Sequence, residues 1–226
     1  MKTHVLERDE ALRMAAEQIN GFLKEKPDAV IAMAAGRTML PLWEYLDASC
    51  FSDARCFQVS EFVGVSGAKS LRRMMEERLI PASGLNPGHC FWLDAEHWED
   101  CEAALQSAGG IDLAVLGIGD NGHIGFNEPA APFSGRTRIQ KLTDKTRRQY
   151  SWLFGTENDV PEKAYTMGIR TLTEAKQIIV IALGEEKADA VFNMLYARND
   201  STVPAAFLQI PANVTVYADS DAGQKL

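Results

Sequence analysis

Short apolar runs alternate with helical patterns along almost the whole chain, and this alternation limits the folds open to it. Each run is apolar or β-branched and is bounded by Gly, Pro or Asp. Such runs are typical of strands covered on both faces, as in a parallel sheet built from βαβ units. We predict strands at residues 29–33, 56–59, 90–93, 113–116, 178–183 and 214–217.

Helical patterns fill the intervals between these strands. We predict helices at residues 7–24, 40–46, 70–78, 98–108, 172–175 and 186–197. The 226 residues contain no repeat and no linker, and an α/β domain often reaches this length as one unit. We therefore expect a single-domain three-layer α/β sandwich with a mostly parallel, Rossmann-like sheet.

The net charge of −8 narrows the choice of partner. An acidic chain offers no general attraction to nucleic acid or to an anionic membrane surface, so we expect neither as a partner. Its apolar runs are also shorter than the ~18 residues of a membrane span. A small anionic molecule held at a local site remains compatible with this charge.

The four cysteines and the start of the sequence indicate where the protein acts. No pair of cysteines forms a C-x-x-C motif, and the first residues are charged rather than apolar like a signal peptide. We therefore expect reduced thiols, no metal site and a cytoplasmic location.

Ligands of parallel sheets bind beyond the carboxyl ends of the strands, so the loops after the strands are the first candidates for a binding site. The first loop contains Gly36, Arg37 and Thr38, whose backbone N–H groups and side chains suit an anion. An ordinary turn that needs glycine explains this segment equally well. Lys187, close after the strand at 178–183, is a further candidate phosphate ligand.

The most distinctive loop reads GIGDNGHIGFNEP and follows the strand at 113–116. It formally contains G-x-G-x-x-G, but Gly125 and Pro129 interrupt any helix that a dinucleotide site would need. The glycines instead favour a bent loop that presents Asn121, His123 and Glu128. A carboxylate that orients a histidine suits general acid–base catalysis near neutral pH.

Two weaker signals complete the candidate site. Ser60 and Glu61 directly follow the strand at 56–59, where the parallel topology places them beside the other loops. A basic cluster at residues 136–148 includes Arg138, whose fork of donors suits phosphate. Such clusters more often form a solvated face.

These motifs together resemble the glucosamine-6-phosphate deaminase (isomerase) family, within the group that includes 6-phosphogluconolactonase. The resemblance spans nearly the whole chain and is most specific in GHIGFNEP and the following SGRTR. It implies a hexosamine 6-phosphate substrate, no metal or organic cofactor, and ring opening followed by proton transfer from C2 to C1 with loss of ammonia. By resemblance His123 is the ring-opening acid–base and Glu128 its partner.

The resemblance also implies a phosphate site and a lid. Gly36, Thr38, Arg138 and Lys187 correspond to the phosphate site, and residues 140–168 to a mobile lid that excludes water. A homo-oligomer is compatible with the family, and the sequence leaves the assembly open.

The chain departs from the family pattern at several positions of the expected site. Ser60 stands where the family has the aspartate that moves the C2 proton, and Asn121 where it commonly has aspartate. Arg37 replaces a small residue, Gln140 a lysine and Trp152 a substrate-binding arginine. Since a hydroxyl is a poor base, Glu61 becomes a candidate substitute.

Three functions stay open at this point. The first is a hexosamine-6-phosphate deaminase/isomerase with a modified proton shuttle. The second is a 6-phosphogluconolactonase-like hydrolase or another sugar-phosphate isomerase, and the third is a sugar-phosphate binder without catalysis. The choice between gluco and galacto substrates is open as well.

Overall fold

A computed structural model describes residues 1–198 and 201–226. Its strands β1 to β10 are, in chain order, Lys2–Leu6, Val30–Met33, Arg55–Gln58, Ser60–Phe62, Cys90–Phe91, Leu113–Gly117, Arg138–Lys141, Lys163–Thr166, Gln177–Ala182 and Val214–Asp219. The α-helices α1 to α9 are Arg8–Glu25, Met39–Trp43, Leu71–Met74, Ile80–Ser83, Cys101–Ser107, Asp144–Gln149, Ser151–Phe154, Ile169–Thr173 and Ala188–Tyr196.

The main sheet has seven strands in the order β1-β10-β9-β6-β2-β3-β5, and every pairing in it is parallel. The predicted α/β class with a mostly parallel sheet is confirmed. Strands β2 and β10 are buried along their whole length, and β6 and β9 along nearly all of theirs, because helices cover the sheet. Helix α1, for example, packs against β10 with Leu12, Ile19 and Leu23 buried.

All six predicted strands are present, with ends that differ by one or two residues. Strand β1 was not predicted from the sequence. Lys2–Leu6 is short and largely exposed, and its only strand partner in the described chain is β10. A strand at the edge of a sheet needs fewer apolar residues than one covered on both faces, so its pattern is weak.

A second, three-stranded antiparallel sheet in the order β4-β8-β7 was also not predicted. Ser60 and Glu61 lie in β4 and not in a turn. Only Val59 separates β4 from β3, so the chain passes directly from the main sheet to the small one.

The segment at residues 140–168 is ordered structure in this conformation. It contains the end of β7, α6, α7 and β8. The predicted helix at 70–78 is interrupted, because a π-helical turn, Met75–Leu79, lies between α3 and α4. A 3₁₀ turn, Glu185–Lys187, precedes α9, so that helix begins later than predicted. None of the helices in residues 1–198 and 201–226 has the length and apolar character to span a bilayer.

Candidate active site

The loops after β2, β6 and β9 border one pocket, and the small sheet and helices α6 and α7 complete its wall. This is the edge at which ligands of parallel sheets bind. The structure places six of the predicted site residues in the lining: Gly36, Arg37, Thr38, Ser60, His123 and Lys187. Asn121 and Glu128 lie behind His123.

A chain of hydrogen bonds connects His123 to Glu128 through Asn121. Asn121 Oδ1 lies 2.7 Å from His123 Nδ1, and Asn121 Nδ2 donates to Glu128 Oε2 at 2.7 Å. The direct distance from His123 Nδ1 to Glu128 Oε2 is 4.0 Å. Asn121 therefore bridges the histidine and the carboxylate that the sequence analysis paired directly.

The donors and acceptors around Asn121 fix the protonation of the imidazole. The backbone N–H of His123 can only donate, and it reaches Asn121 Oδ1 at 3.1 Å. The Glu128 carboxylate accepts, so the amide nitrogen of Asn121 must face it. Asn121 Oδ1 then needs a proton on His123 Nδ1, which leaves Nε2 as the free base.

Burial keeps this imidazole neutral. His123 is 4% exposed, and burial lowers its pKa from 6.5 to about 4, while the charge of Glu128 opposes the shift. Lys187 adds to the lowering through its positive charge. Near neutral pH His123 is thus uncharged and able to accept a proton on Nε2.

Glycine is required under the imidazole. A Cβ at Gly119 would overlap the ring of His123, so another residue there would displace the ring. Gly122 has φ of 82°, a left-handed conformation in which residues with a side chain are strained. These glycines shape the loop around the histidine, and no helix begins within residues 118–137.

Ser60 and Glu61 point in different directions, because successive side chains of a strand alternate. Ser60 lines the pocket, and its hydroxyl has no hydrogen-bond partner among residues 1–198 and 201–226. The Glu61 carboxylate does not line this pocket. It accepts five hydrogen bonds: from the backbone N–H groups of Phe62, Leu71 and Arg72 and from the side chains of Gln58 and Ser70.

Glu61 therefore caps the start of α3 and holds β4 against it. Swinging the carboxylate toward His123 would break all of these hydrogen bonds and leave buried donors unpaired. The structure does not bring Glu61 to the reacting position, contrary to its candidacy as a substitute base.

Positive charge reaches the same pocket from Lys187 and Arg37. Lys187 is 3% exposed, and burial lowers its pKa. The exposed Arg37 guanidinium lies 3.4 Å from Glu186 Oε1, and both side chains reach the pocket. A buried ammonium and an exposed guanidinium that line the same pocket suit an anionic group of a ligand.

Arg138 does not join this group. It lies in β7, and its guanidinium donates to Gln140 Oε1 at 2.9 Å and to the carbonyl of Arg136 at 3.4 Å. The lining of the pocket does not include it. Other members of the basic cluster pair with local carboxylates, as Arg136 does with Glu174. The expected phosphate role of Arg138 therefore has no support from its position.

Helices α6 and α7 supply site residues that the sequence analysis missed or noted only as departures. Gln149, Tyr150 and Trp152 line the pocket, while Thr143 and Thr146 contact Glu128 and His123. Thr143, Thr146 and Gln149 are spaced by three residues, which places them on one helical face. That spacing was the available signal, but the polar residues around it concealed the pattern.

Known proteins resemble this chain over its full length. The family described as glucosamine-6-phosphate isomerases/6-phosphogluconolactonase matches residues 6–217. The glucosamine-6-phosphate deaminase of Hahella chejuensis is 35% identical, with 100% of this chain and 92% of the relative covered. Glucosamine-6-phosphate deaminase 2 of Bacillus subtilis is 37% identical, with 100% and 98% covered.

Solved structures agree with this assignment. A monomeric glucosamine-6-phosphate deaminase superposes with a TM-score of 0.94 at 32% identity, covering 100% of both chains. A 6-phosphogluconolactonase from Leishmania guyanensis shares the fold, with a TM-score of 0.76 at 17% identity over 100% of this chain and 98% of the other. This chain belongs to the family of glucosamine-6-phosphate isomerases and 6-phosphogluconolactonases.

Proposed function

We propose that this protein is a hexosamine-6-phosphate deaminase/isomerase that converts glucosamine 6-phosphate or galactosamine 6-phosphate, with water, into the ketose 6-phosphate and ammonia. The observation that carries the proposal is the Glu128–Asn121–His123 chain, which leaves a neutral imidazole nitrogen at a pocket that also holds Lys187. The relatives compared above, two by sequence and one by structure, carry the deaminase name.

Ring opening is the step that this geometry suits best. His123 Nε2 accepts the proton of the anomeric hydroxyl, and the imidazolium returns it to the ring oxygen as the C–O bond breaks. Asn121 and Glu128 stabilise the transient positive charge through the hydrogen bonds on Nδ1. Lys187 and Arg37, with the backbone at Gly36 and Thr38, hold the phosphate.

The later steps need a base for the C2 proton. In the open-chain amino aldose this proton moves to C1, and water then replaces nitrogen at C2, releasing ammonia. Ser60 has only a hydroxyl, and Glu61 is bound to the backbone N–H groups at the start of α3. His123 is therefore also the base that removes the C2 proton. We expect slow turnover, since a missing general base typically costs about 100- to 10,000-fold.

The segment at 140–168 acts as a lid in this proposal. Tyr150, between α6 and α7, and Trp152, in α7, line the pocket wall, so outward movement of this segment would open the site to solvent. We place the enzyme in the cytoplasm, which fits its four free cysteines.

Lactone hydrolysis is the second candidate, and Ser60 favours it. Opening of 6-phosphogluconolactone requires one base to activate water and no base for carbon, which matches a pocket where a hydroxyl replaces the carboxylate. His123 would be that base.

The two candidates separate on a substrate panel. Ammonia and ketose are measured with glucosamine 6-phosphate and galactosamine 6-phosphate, and hydrolysis is measured with 6-phosphogluconolactone against its spontaneous rate. Ammonia release that His123→Gln abolishes supports the deaminase. Lactone hydrolysis without ammonia supports the second candidate, and binding without either reaction supports a non-catalytic binder.

A further inference from the structure

Helix α6 contacts both halves of the pocket with a single face. Thr143 caps its start, Thr146 lies one turn further, and Gln149 is its last residue. In the amide orientation that satisfies both neighbours, Gln149 accepts from Lys187 Nζ at 2.8 Å and donates to Asp120 Oδ1 at 3.1 Å. The same helical face therefore reaches the cationic side and the histidine side.

Thr146 lies directly against the imidazole. It is fully buried, and its Oγ1 is 3.2 Å from His123 Nδ1 and 3.4 Å from Asn121 Nδ2. Both of these nitrogens carry protons, so the hydroxyl offers them its lone pairs. Thr143 Oγ1 lies 3.3 Å from this hydroxyl.

Thr143 holds the other end of the same hydrogen-bonded chain. Its backbone N–H donates to Glu128 Oε1 at 3.1 Å, and its hydroxyl donates to Glu128 Oε2 at 3.2 Å. The carboxylate is thereby fixed in the orientation that receives Asn121 Nδ2.

We propose that Thr143 and Thr146 are positioning residues, which hold Asn121 and Glu128 in place and so stabilise the Nδ1–H tautomer of His123 that Asn121 sets. Docking of α6 thus strengthens this tautomer, and departure of the helix weakens it. The kinetic consequence rests on the proposed function, but the tautomer itself does not.

Thr146→Val tests this inference, because valine keeps the shape and removes the lone pairs. Thr146→Ser restores the hydroxyl. Thr171→Val is the matched control, since Thr171 is equally a buried threonine but donates to Glu102 away from His123. We measure kcat and KM with hexosamine 6-phosphate. The tautomer of His123 is measured by long-range ¹H–¹⁵N spectra of ¹⁵N-histidine protein, and the His123→Gln variant assigns the signals.

For Thr146→Val we expect kcat to fall by about 10- to 100-fold with KM within about twofold, by analogy with the hydrogen-bond partners of metal-binding histidines. The wild-type spectrum shows a protonated Nδ1 and a free Nε2, and the variant shows averaged shifts. Thr146→Ser recovers both properties, and Thr171→Val changes neither.

An unchanged tautomer in Thr146→Val overturns the inference, whatever happens to kcat. A shifted tautomer with an unaltered kcat overturns it as well. If the wild type turns over no amino sugar, the proposed function fails, while the spectra still decide the positioning role.

Discussion

At the scale of single residues, the hydroxyl of Ser60 distinguishes this pocket most clearly from one built for carbon acid chemistry. It is buried, faces the pocket and has no partner within the described chain, residues 1–198 and 201–226. The neighbouring carboxylate of Glu61 is committed to other donors. A carboxylate at position 60 would supply a second base at the pocket wall.

Ser60→Asp should therefore increase ammonia release from hexosamine 6-phosphate. A restored general base is worth about 100-fold or more in kcat. The measurement is steady-state ammonia production, with Ser66→Asp as a control in an exposed loop position. A decrease or no change in Ser60→Asp would show that position 60 does not face the carbon that loses its proton.

The neutral state of His123 should appear in the pH dependence of stability. Its pKa is about 4 in the folded protein and 6.5 ordinarily, so between these values the unfolded chain binds the proton and the folded chain does not. The free energy of unfolding must then decrease as the pH falls through this window. For this one group the full loss is roughly 3 kcal/mol.

His123→Gln removes this contribution, because glutamine does not titrate. Urea unfolding of both proteins between about pH 7 and pH 4 should show a steeper loss in the wild type. Parallel curves would mean that His123 is not buried in its neutral form.

At the scale of elements, the short strand β4 connects the small sheet to β3 of the main sheet, and its successive side chains have different roles. Ser60 faces the pocket, while Glu61 accepts the backbone N–H groups at the start of α3. The carboxylate thus stabilises the junction between the small sheet and α3.

Glu61→Gln should weaken this junction without removing the catalytic base. One oxygen of Glu61 accepts from Ser70 and Arg72, and the other accepts from Phe62 and Leu71. Glutamine replaces one of these oxygens with an NH₂ group, whose hydrogens would face the hydrogens of the donors. We expect the free energy of unfolding to fall by about 2–4 kcal/mol, measured by urea denaturation. The activity of the folded fraction should stay within about threefold, whereas a complete loss would favour a catalytic Glu61.

The elements also show what a sequence can and cannot predict. Strands β2, β6 and β9 were predictable because both faces are covered and nearly every residue is apolar. The small sheet was not, because β7 is polar and partly exposed and its pairing with β8 joins residues far apart in the chain.

The candidate site likewise contains residues that the sequence could place and residues that it could not. The His123 loop and Lys187 follow strands of the parallel sheet, and the topology alone places them together. The sequence could not place Arg138, because its residue type suits phosphate whereas its position depends on the unpredicted pairing of β7 with β8. Thr146 was missed because its role depends on how α6 docks.

At the scale of the whole molecule, the fold is shared more widely than the pocket. The superposition on a monomeric glucosamine-6-phosphate deaminase is close, with a TM-score of 0.94, and the lactonase fold is similar at 0.76. Proteins named for different reactions thus share this fold, so the reaction has to be inferred from the pocket residues.

Binding of a phosphate-bearing ligand should stabilise the whole protein through Lys187. A ligand that binds only the folded state raises stability by RT ln(1 + [L]/Kd). With saturating fructose 6-phosphate we expect a higher Tm in the wild type and a shift reduced by more than about half in Lys187→Met. Lys163→Met, at an exposed position outside the pocket, is the control. Equal shifts in all three proteins would place the phosphate elsewhere.

The central claim is that His123 moves protons on an amino sugar phosphate in this pocket. The most direct test is proton NMR of glucosamine 6-phosphate and galactosamine 6-phosphate with the enzyme in D₂O, following ketose formation and deuterium at C1. The account predicts a ketose product from at least one sugar, with deuterium at C1 to the extent that the proton held by His123 exchanges with solvent before it reaches C1, and neither ketose nor label with His123→Gln. The absence of both ketose and label with the wild type, or undiminished turnover by His123→Gln, would contradict it.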